Sequence, residues 1–314
     1  MKKQVYAGID LGGTKILALI LDENGTVLKK TEAATHAQEG ADAVIGRMIE
    51  LIREGLDESY QLASIGVATA GTLNSGEGVV AYASNLGWTN VPLGTKLREA
   101  FGVPVNLEND ANAAAYGEWA AGAGRGTKDC VYVTVSTGIG AGIVSGGKLV
   151  RGRDSSAGEL GHITIDWKGP KCLCGNVGCL ETYASGTAIG RRANQMAADL
   201  PDQAALLIEK AGGEAITSRH VAEAAAEGDE LSVRILEEAG QALGAGMVSI
   251  IHAMNPEVVI IGGGASSIGA PLLEPMHRYI ADHGIGTMAR GVKFVSPLLG
   301  KEAGAIGAAL LVRE

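Results

Sequence analysis

Residues 172–181 read Cys-Leu-Cys-Gly-Asn-Val-Gly-Cys-Leu-Glu, and His162 precedes Cys172 by ten positions. Three thiols and one imidazole make a Cys3His set of the kind that holds tetrahedral Zn2+. With His162, Cys172, Cys174 and Cys179 all committed to the ion, no position remains for a reactive water, so the expected role is structural. A disulfide or incidental thiols would be the alternative. Two cysteines one residue apart, in a chain with four in all, argue against it. Cys130 lies in an apolar run and reads as an ordinary buried side chain.

Acidic and amide side chains gather at further places. Glu108-Asn109-Asp110-Ala111-Asn112 stands where a strand-like run gives way to an Ala-rich helical one. Asn109 or Asp110 would cap that helix. One cap does not need three consecutive polar residues, and Asp110 equally suits a base that accepts a hydroxyl proton. Glu159 lies three residues before His162, and Glu181 two after Cys179, so a metal knot would hold both carboxylates rigidly. Without it they read as solvated surface acids. Carboxylates and amides together suit a polyhydroxylated ligand, whose hydroxyls both donate and accept. Asn85, in Ser84-Asn85-Leu86-Gly87-Trp88, either joins that set or serves only its turn.

Three glycine turns follow apolar runs, at residues 10–15, 136–140 and 262–266. The backbone amides and hydroxyls of Gly12, Gly13, Thr14, Thr137, Gly138, Gly262, Gly263 and Gly264 could cradle phosphate oxygens, with Lys15 beside the first turn. None of the turns carries a Walker string, and the G-x-G-x-x-G pattern begun at Gly262 meets Ser267 where its last glycine should stand. One such turn alone would be a plain hairpin. Two matching hairpins plus a third turn point to phosphate binding. Asp10, at its strand end, could hold Mg2+ through water or cap its own turn.

Hydropathy spacing gives the elements that must position these residues. Runs at 5–10, at 16–21 and from 26 predict a β-meander, and 130–135, 141–144 and a run from 149 predict a second one about 125 residues later. Apolar residues at Val44, Ile45, Met48, Ile49, Ile52 and Leu56 have helical spacing. Further helices are expected at 93–101, 109–121, 271–281 and 303–312, with a mainly helical stretch from 182 to 255. Strands are expected at 65–70, 103–107, 258–261 and 292–295. This is an α/β pattern with a duplicated unit and a cleft between the halves. At 314 residues with 46% hydrophobic content, the chain exceeds the size at which one core tends to split. The expected division is 1–109 with 301–314, and 110–300.

A net charge of −9 without a basic run disfavours nucleic-acid and membrane-surface binding. The first residues contain no apolar targeting segment, and no apolar run reaches membrane-spanning length, so a cytoplasmic protein is expected.

Six strings together resemble the ROK family of bacterial sugar kinases and sugar-responsive repressors, in its glucokinase branch. They are GIDLGGTK from Gly8, SNLGW from Ser84, ENDANAAA from Glu108, STGIGAGI from Ser136, GELGH from Gly158 and CLCGNVGCLE from Cys172. The Gly262–Gly264 turn extends the match to nearly the whole chain. The resemblance implies a two-lobed actin/hexokinase-like (ribonuclease H-like) fold and phosphorylation of glucose by ATP with Mg2+. It implies Asp110 as catalytic base, with Gly71, Asn85, Asn109, Glu159, His162 and Glu181 at the sugar. It places residues 12–14, Thr137 and Gly138 at the phosphates and Gly262–Gly264 near the adenosine, and it implies a homodimer or higher homo-oligomer. Ala70-Gly71-Thr72-Leu73 departs from the family pattern, which more often has a proline beside the glycine. Other acceptors within the kinase class are N-acetylmannosamine, N-acetylglucosamine and fructose, and polyphosphate is another donor. The family's repressors carry a DNA-binding domain in front. Here the first glycine hairpin begins at Val5, which favours the kinase.

Overall fold

Apolar strands separated by short polar turns form the first meander as expected. In the computed structural model, which describes residues 2–153 and 155–313, β1 (Lys3–Leu11), β2 (Lys15–Leu21) and β3 (Val27–Ala34) run antiparallel. Asp22 makes the β2–β3 turn by accepting from the amides of Asn24 and Thr26 at 2.9 and 3.0 Å. α1 (Ala41–Gly55) buries Val44, Ile45, Met48, Leu51 and Ile52 along one stripe. β4 (Tyr60–Thr69) then pairs parallel to β1, and β8 (Val105–Asn109) pairs parallel to β4. Between them lie β5 (Thr72–Asn74), β6 (Val79–Ala83), β7 (Trp88–Val91) and α2 (Leu93–Phe101). β5–β7 form a small sheet of their own that hydropathy spacing did not reveal.

α3 (Asp110–Ala121) leads to the second meander, β9 (Cys130–Val135), β10 (Ile139–Ser145) and β11 (Lys148–Leu149). The helical stretch resolves into α4 (Glu181–Ala184), α5 (Gly186–Asp199), α6 (Ala205–Ala211), α7 (Ser218–Ala226) and α8 (Glu230–Met254). β12 (Val258–Gly262), α9 (Ala270–His283), α10 (Gly286–Ala289), β13 (Lys293–Val295) and α11 (Ala303–Leu311) complete the chain. The two large sheets have orders β3-β2-β1-β4-β8 and β11-β10-β9-β12-β13. Each places a meander on one side and two later strands on the other, so the duplication extends to topology.

The chain divides into two units, Met1–Tyr132 with Gly142–Gly158 and Pro297–Glu314, and Val133–Ala141 with Glu159–Ser296. The expected division began the second lobe at residue 110; α3 instead groups with the first unit. The reason is backbone packing against α11. A Cβ on Gly117 would lie 2.4 Å from the Ala303 carbonyl oxygen, and one on Gly307 would lie 1.7 Å from that of Ala113. On the sheet side, Gly8 and Gly66 meet the carbonyls of Ala305 and Ala308 in the same way, at 2.0 and 1.9 Å. Glu118, fully buried at the end of α3, accepts from the Leu298 and Leu299 amides at 3.0 and 2.7 Å and so ties down the approach to α11.

Candidate active site

Parallel pairing brings the carboxyl ends of β1, β4 and β8 into one row. Asp10 stands opposite Ala68, which stands opposite Glu108; one step on, Leu11, Thr69 and Asn109 are aligned. Carboxyl ends of parallel strands are where α/β folds present polar groups to ligands. The β1–β2 turn extends from this row. The Gly12 amide donates to the Lys15 carbonyl at 3.0 Å, and the Thr35 hydroxyl donates to the Gly12 carbonyl at 2.7 Å. Gly13 lies against Asn85, where a Cβ would stand 3.0 Å from the Asn85 carbonyl oxygen. Thr14 is exposed, and the Lys15 ammonium pairs with Glu32 across the β2–β3 edge. Gly71 has φ +112, and a side chain there would meet the Tyr82 carbonyl at 2.3 Å, so the turn itself demands glycine.

At the β8–α3 junction the two candidate caps have separate tasks. The Asn109 side chain accepts from the amides of Ala111 and Asn112 at 2.9 and 3.1 Å and is the cap. Its NH2 group makes no hydrogen bond among the described residues. Asp110 uses Oδ1 on the Ala111 amide at 2.9 Å. Its side chain reaches solvent while protein surrounds it on most sides, and burial raises its carboxyl above the usual range against the opposing pull of the Ala111 amide. Asp10, half-buried, is pushed up to about 6, first by burial and then by the charge of Asp110. Behind them the buried Glu108 accepts from Arg151 Nε at 2.7 Å, the Asn109 amide at 3.1 Å and Asn112 Nδ2 at 3.2 Å. Sequence reasoning did not assign Glu108 or Arg151; the only signal was a third consecutive polar residue at the junction.

In the second unit, His162, Cys172, Cys174 and Cys179 offer ligand atoms that all lie within 4.8 Å of one another. Tetrahedral Zn2+ with ordinary Zn–S and Zn–N bonds requires S···S near ~3.8 Å and S···N near ~3.6 Å. Cys174 and Cys179 are 3.7 Å apart at sulfur, and Cys172 Sγ lies 3.7 Å from His162 Nδ1. The residues therefore fit the ion. Burial and the neighbouring thiols push Cys179 up to about 12, while the Asn176 amide draws Cys174 down. A cation at the centre would relieve that crowding and favour thiolates throughout. With Nδ1 directed at the cluster, the His162 ring turns Nε2 toward Glu159 Oε2, 3.9 Å away. Glu159 is exposed; Glu181 is half-buried and accepts from the Ile139 amide at 2.8 Å.

A recess of about 620 Å3 opens beside the β9–β10 turn. Ser136 and Thr137 line it with Gly264 and Ala265, and α5 contributes Thr187, Arg191 and Asn194. This is the size of a pocket for a cofactor-sized molecule. The Gly263 turn has φ +91 and passes the Val135 carbonyl so closely that a Cβ would stand 2.3 Å away, whereas Gly264 faces open space. The α5 residues and Thr217, which also lines the recess, escaped sequence reasoning. Ser185-Gly186-Thr187, a hydroxyl-and-glycine start to a helix capped by Ser185, was the available signal.

Matching strand orders in the two sheets, glycine turns at the first hairpin of each, and carboxylates at strand carboxyl ends define an actin/hexokinase-like α/β protein. A family model described as ROK family matches residues 6–314. The chain belongs to the ROK family. It is 37% identical over 316 residues to a glucokinase of Thermotoga maritima, covering 100% of this chain and 99% of that one. The solved structure of a ROK family glucokinase from Streptomyces griseus in complex with glucose and AMPPNP is 37% identical, with TM-score 0.80 over 98% of this chain and 99% of that one. A ROK hexokinase structure from Thermus thermophilus is 35% identical, with TM-score 0.83 over 98% and 97%.

Proposed function

We propose that this chain is an ATP- and Mg2+-dependent glucokinase that transfers the γ-phosphoryl group of ATP to the 6-hydroxyl of glucose, with Asp110 as general base. The observation that carries this reading is the separation of tasks at the start of α3. Asn109 caps the helix, so Asp110 keeps Oδ2 for a substrate hydroxyl. Burial raises its carboxyl above the usual range, which makes the carboxylate a better proton acceptor than an ordinary aspartate. Likeness to glucokinases over the full chain supports glucose as the acceptor and ATP as the donor.

In this scheme Asp110 takes the hydroxyl proton as the oxygen attacks the γ-phosphorus in line and ADP departs. The Asn109 amide, Glu159, His162 Nε2 and Glu181 orient the sugar, with Asn85 and Gly71 beside it. Amides of residues 12–14, with Thr137 and Gly138, face the phosphates, and the recess at Gly264 and α5 takes the adenosine. Bound Mg2+ would neutralise charge on the transferring phosphoryl group, and Asp10 is the carboxylate suited to hold it through water. Zinc on His162 and the three thiols would keep the Glu159 and Glu181 segments in place.

Asp110→Asn tests the assignment. Glucose binding measured by calorimetry should stay within about threefold of the original chain while kcat falls about 10²–10⁴-fold. A near-normal kcat would remove Asp110 from the role of base.

A further inference from the structure

The turn Ser136-Thr137-Gly138 is held from outside its own hairpin. At the first position of β10, the Ile139 amide donates to Glu181 Oε2 at 2.8 Å. The Ile139 carbonyl lies under Gly161, where a Cβ would stand 2.1 Å from that oxygen. A Cβ on Gly138 would stand 2.4 Å from Glu181 Oε2. On the other flank, the Gly186 amide donates to the Ser136 carbonyl at 2.7 Å. Gly161 adjoins His162, and Glu181 follows Cys179 by two residues, so both contacts on Ile139 come from segments gathered by the Cys3His cluster.

We propose that Glu181 is a positioning residue for the phosphates of the nucleotide, fixing the Thr137–Gly138 turn through the Ile139 amide while its other oxygen serves the sugar. The inference rests on the kinase reading and adds to it a part for Glu181 in nucleotide binding. A carboxylate has about four acceptor sites, so one bond to an amide leaves capacity for a hydroxyl. A charged acceptor on a backbone N–H is among the stronger hydrogen bonds. An amide anchored in this way is ordered before the ligand arrives, which lowers the entropy that binding must offset. Gly138 thereby acquires a second reason to be glycine, since any side chain would displace the carboxylate.

The test is calorimetric titration of a non-hydrolysable ATP analogue into the zinc-loaded full chain with no sugar present. Glu181→Ala should weaken the analogue about tenfold or more. Glu181→Gln, whose neutral amide oxygen can still accept from Ile139, should recover most of that loss, and a Gln variant as weak as the Ala variant overturns the proposal. Unchanged affinity in Glu181→Ala overturns the proposal and leaves Glu181 to the sugar alone. Zinc content measured alongside separates lost positioning from an unfolded segment. Hydrogen exchange on the unsubstituted chain gives a check that needs no variant: the Ile139 amide should be protected, and rapid exchange there overturns the proposal equally. If the unsubstituted chain does not bind the analogue, the kinase reading falls and takes this inference with it. If the Glu181→Ala effect appears but no sugar is turned over, only the acceptor assignment falls.

Discussion

Asp10 and Asp110 are two carboxyls with protein around them on most sides, the charge of Asp110 acting on Asp10, and each has a consequence that pH can read. For Asp110, burial makes the proton harder to remove. The acid limb of kcat/KM should therefore lie above the pH at which an ordinary aspartate titrates, and activity should be lost as pH falls through it. Asp10 titrates at about 6 in the folded chain against 3.8 as a free side chain. Between those values the folded state holds a proton that the unfolded state has released, so stability declines as pH rises through the window. Above it, the ionised carboxylate costs at most about 3 kcal/mol. Asp10→Asn should therefore melt above the original chain at pH 7.5, lose that advantage below pH ~4, and turn over slowly. An Asp10→Asn chain with unchanged thermal stability at pH 7.5 would contradict the burial of this charge.

At the scale of elements, α11 is seated by close backbone contact as well as by side chains, among them Ile306 against Leu17, Leu19 and Leu21. Its backbone partners are glycines on β1, β4 and α3 that allow carbonyls to approach as no Cβ would. Gly66→Ala sets a methyl against the Ala308 carbonyl, and Gly307→Ala against that of Ala113. Each should cost about 3 kcal/mol or more, because neither neighbour is a flexible side-chain end. Denaturant unfolding checks this, and a loss under about 1 kcal/mol would contradict the packing. These contacts also show where sequence reasoning stops. A closing helix at 303–312 was legible from its apolar content, but Gly8, Gly66 and Gly117 have reasons that lie up to some three hundred residues away in the chain. β5–β7 were missed because their strands are three to five residues long and set between turns that contain Gly76, Gly78 and Gly87. The β8–α3 junction and the Cys3His cluster were legible because their chemistry is local in sequence. The α5 wall of the recess was not, since Arg191 and Asn194 look like any residues on the outside of a helix.

For the molecule as a whole, a net charge of −9 means that no general field attracts an anionic nucleotide. Affinity for phosphates must come from local amides and a cation, so ATP binding should depend steeply on Mg2+. The Cys3His cluster sets a second whole-chain expectation. Purified protein should hold one zinc per chain by elemental analysis, and strong chelation should lower the melting temperature and expose the 163–180 segment to protease. Protein free of zinc with an unchanged melt would contradict a structural ion. The central claim is phosphoryl transfer from ATP to the 6-hydroxyl of glucose. The most direct measurement follows product and ADP together by phosphorus NMR, with Mg2+ present, over glucose, fructose, N-acetylglucosamine and N-acetylmannosamine, and with ATP or polyphosphate as donor. Glucose 6-phosphate and ADP should appear in equal amounts, fastest with glucose and ATP, and be lost in Asp110→Asn; no phosphorylated product from any of these sugars would contradict phosphoryl transfer.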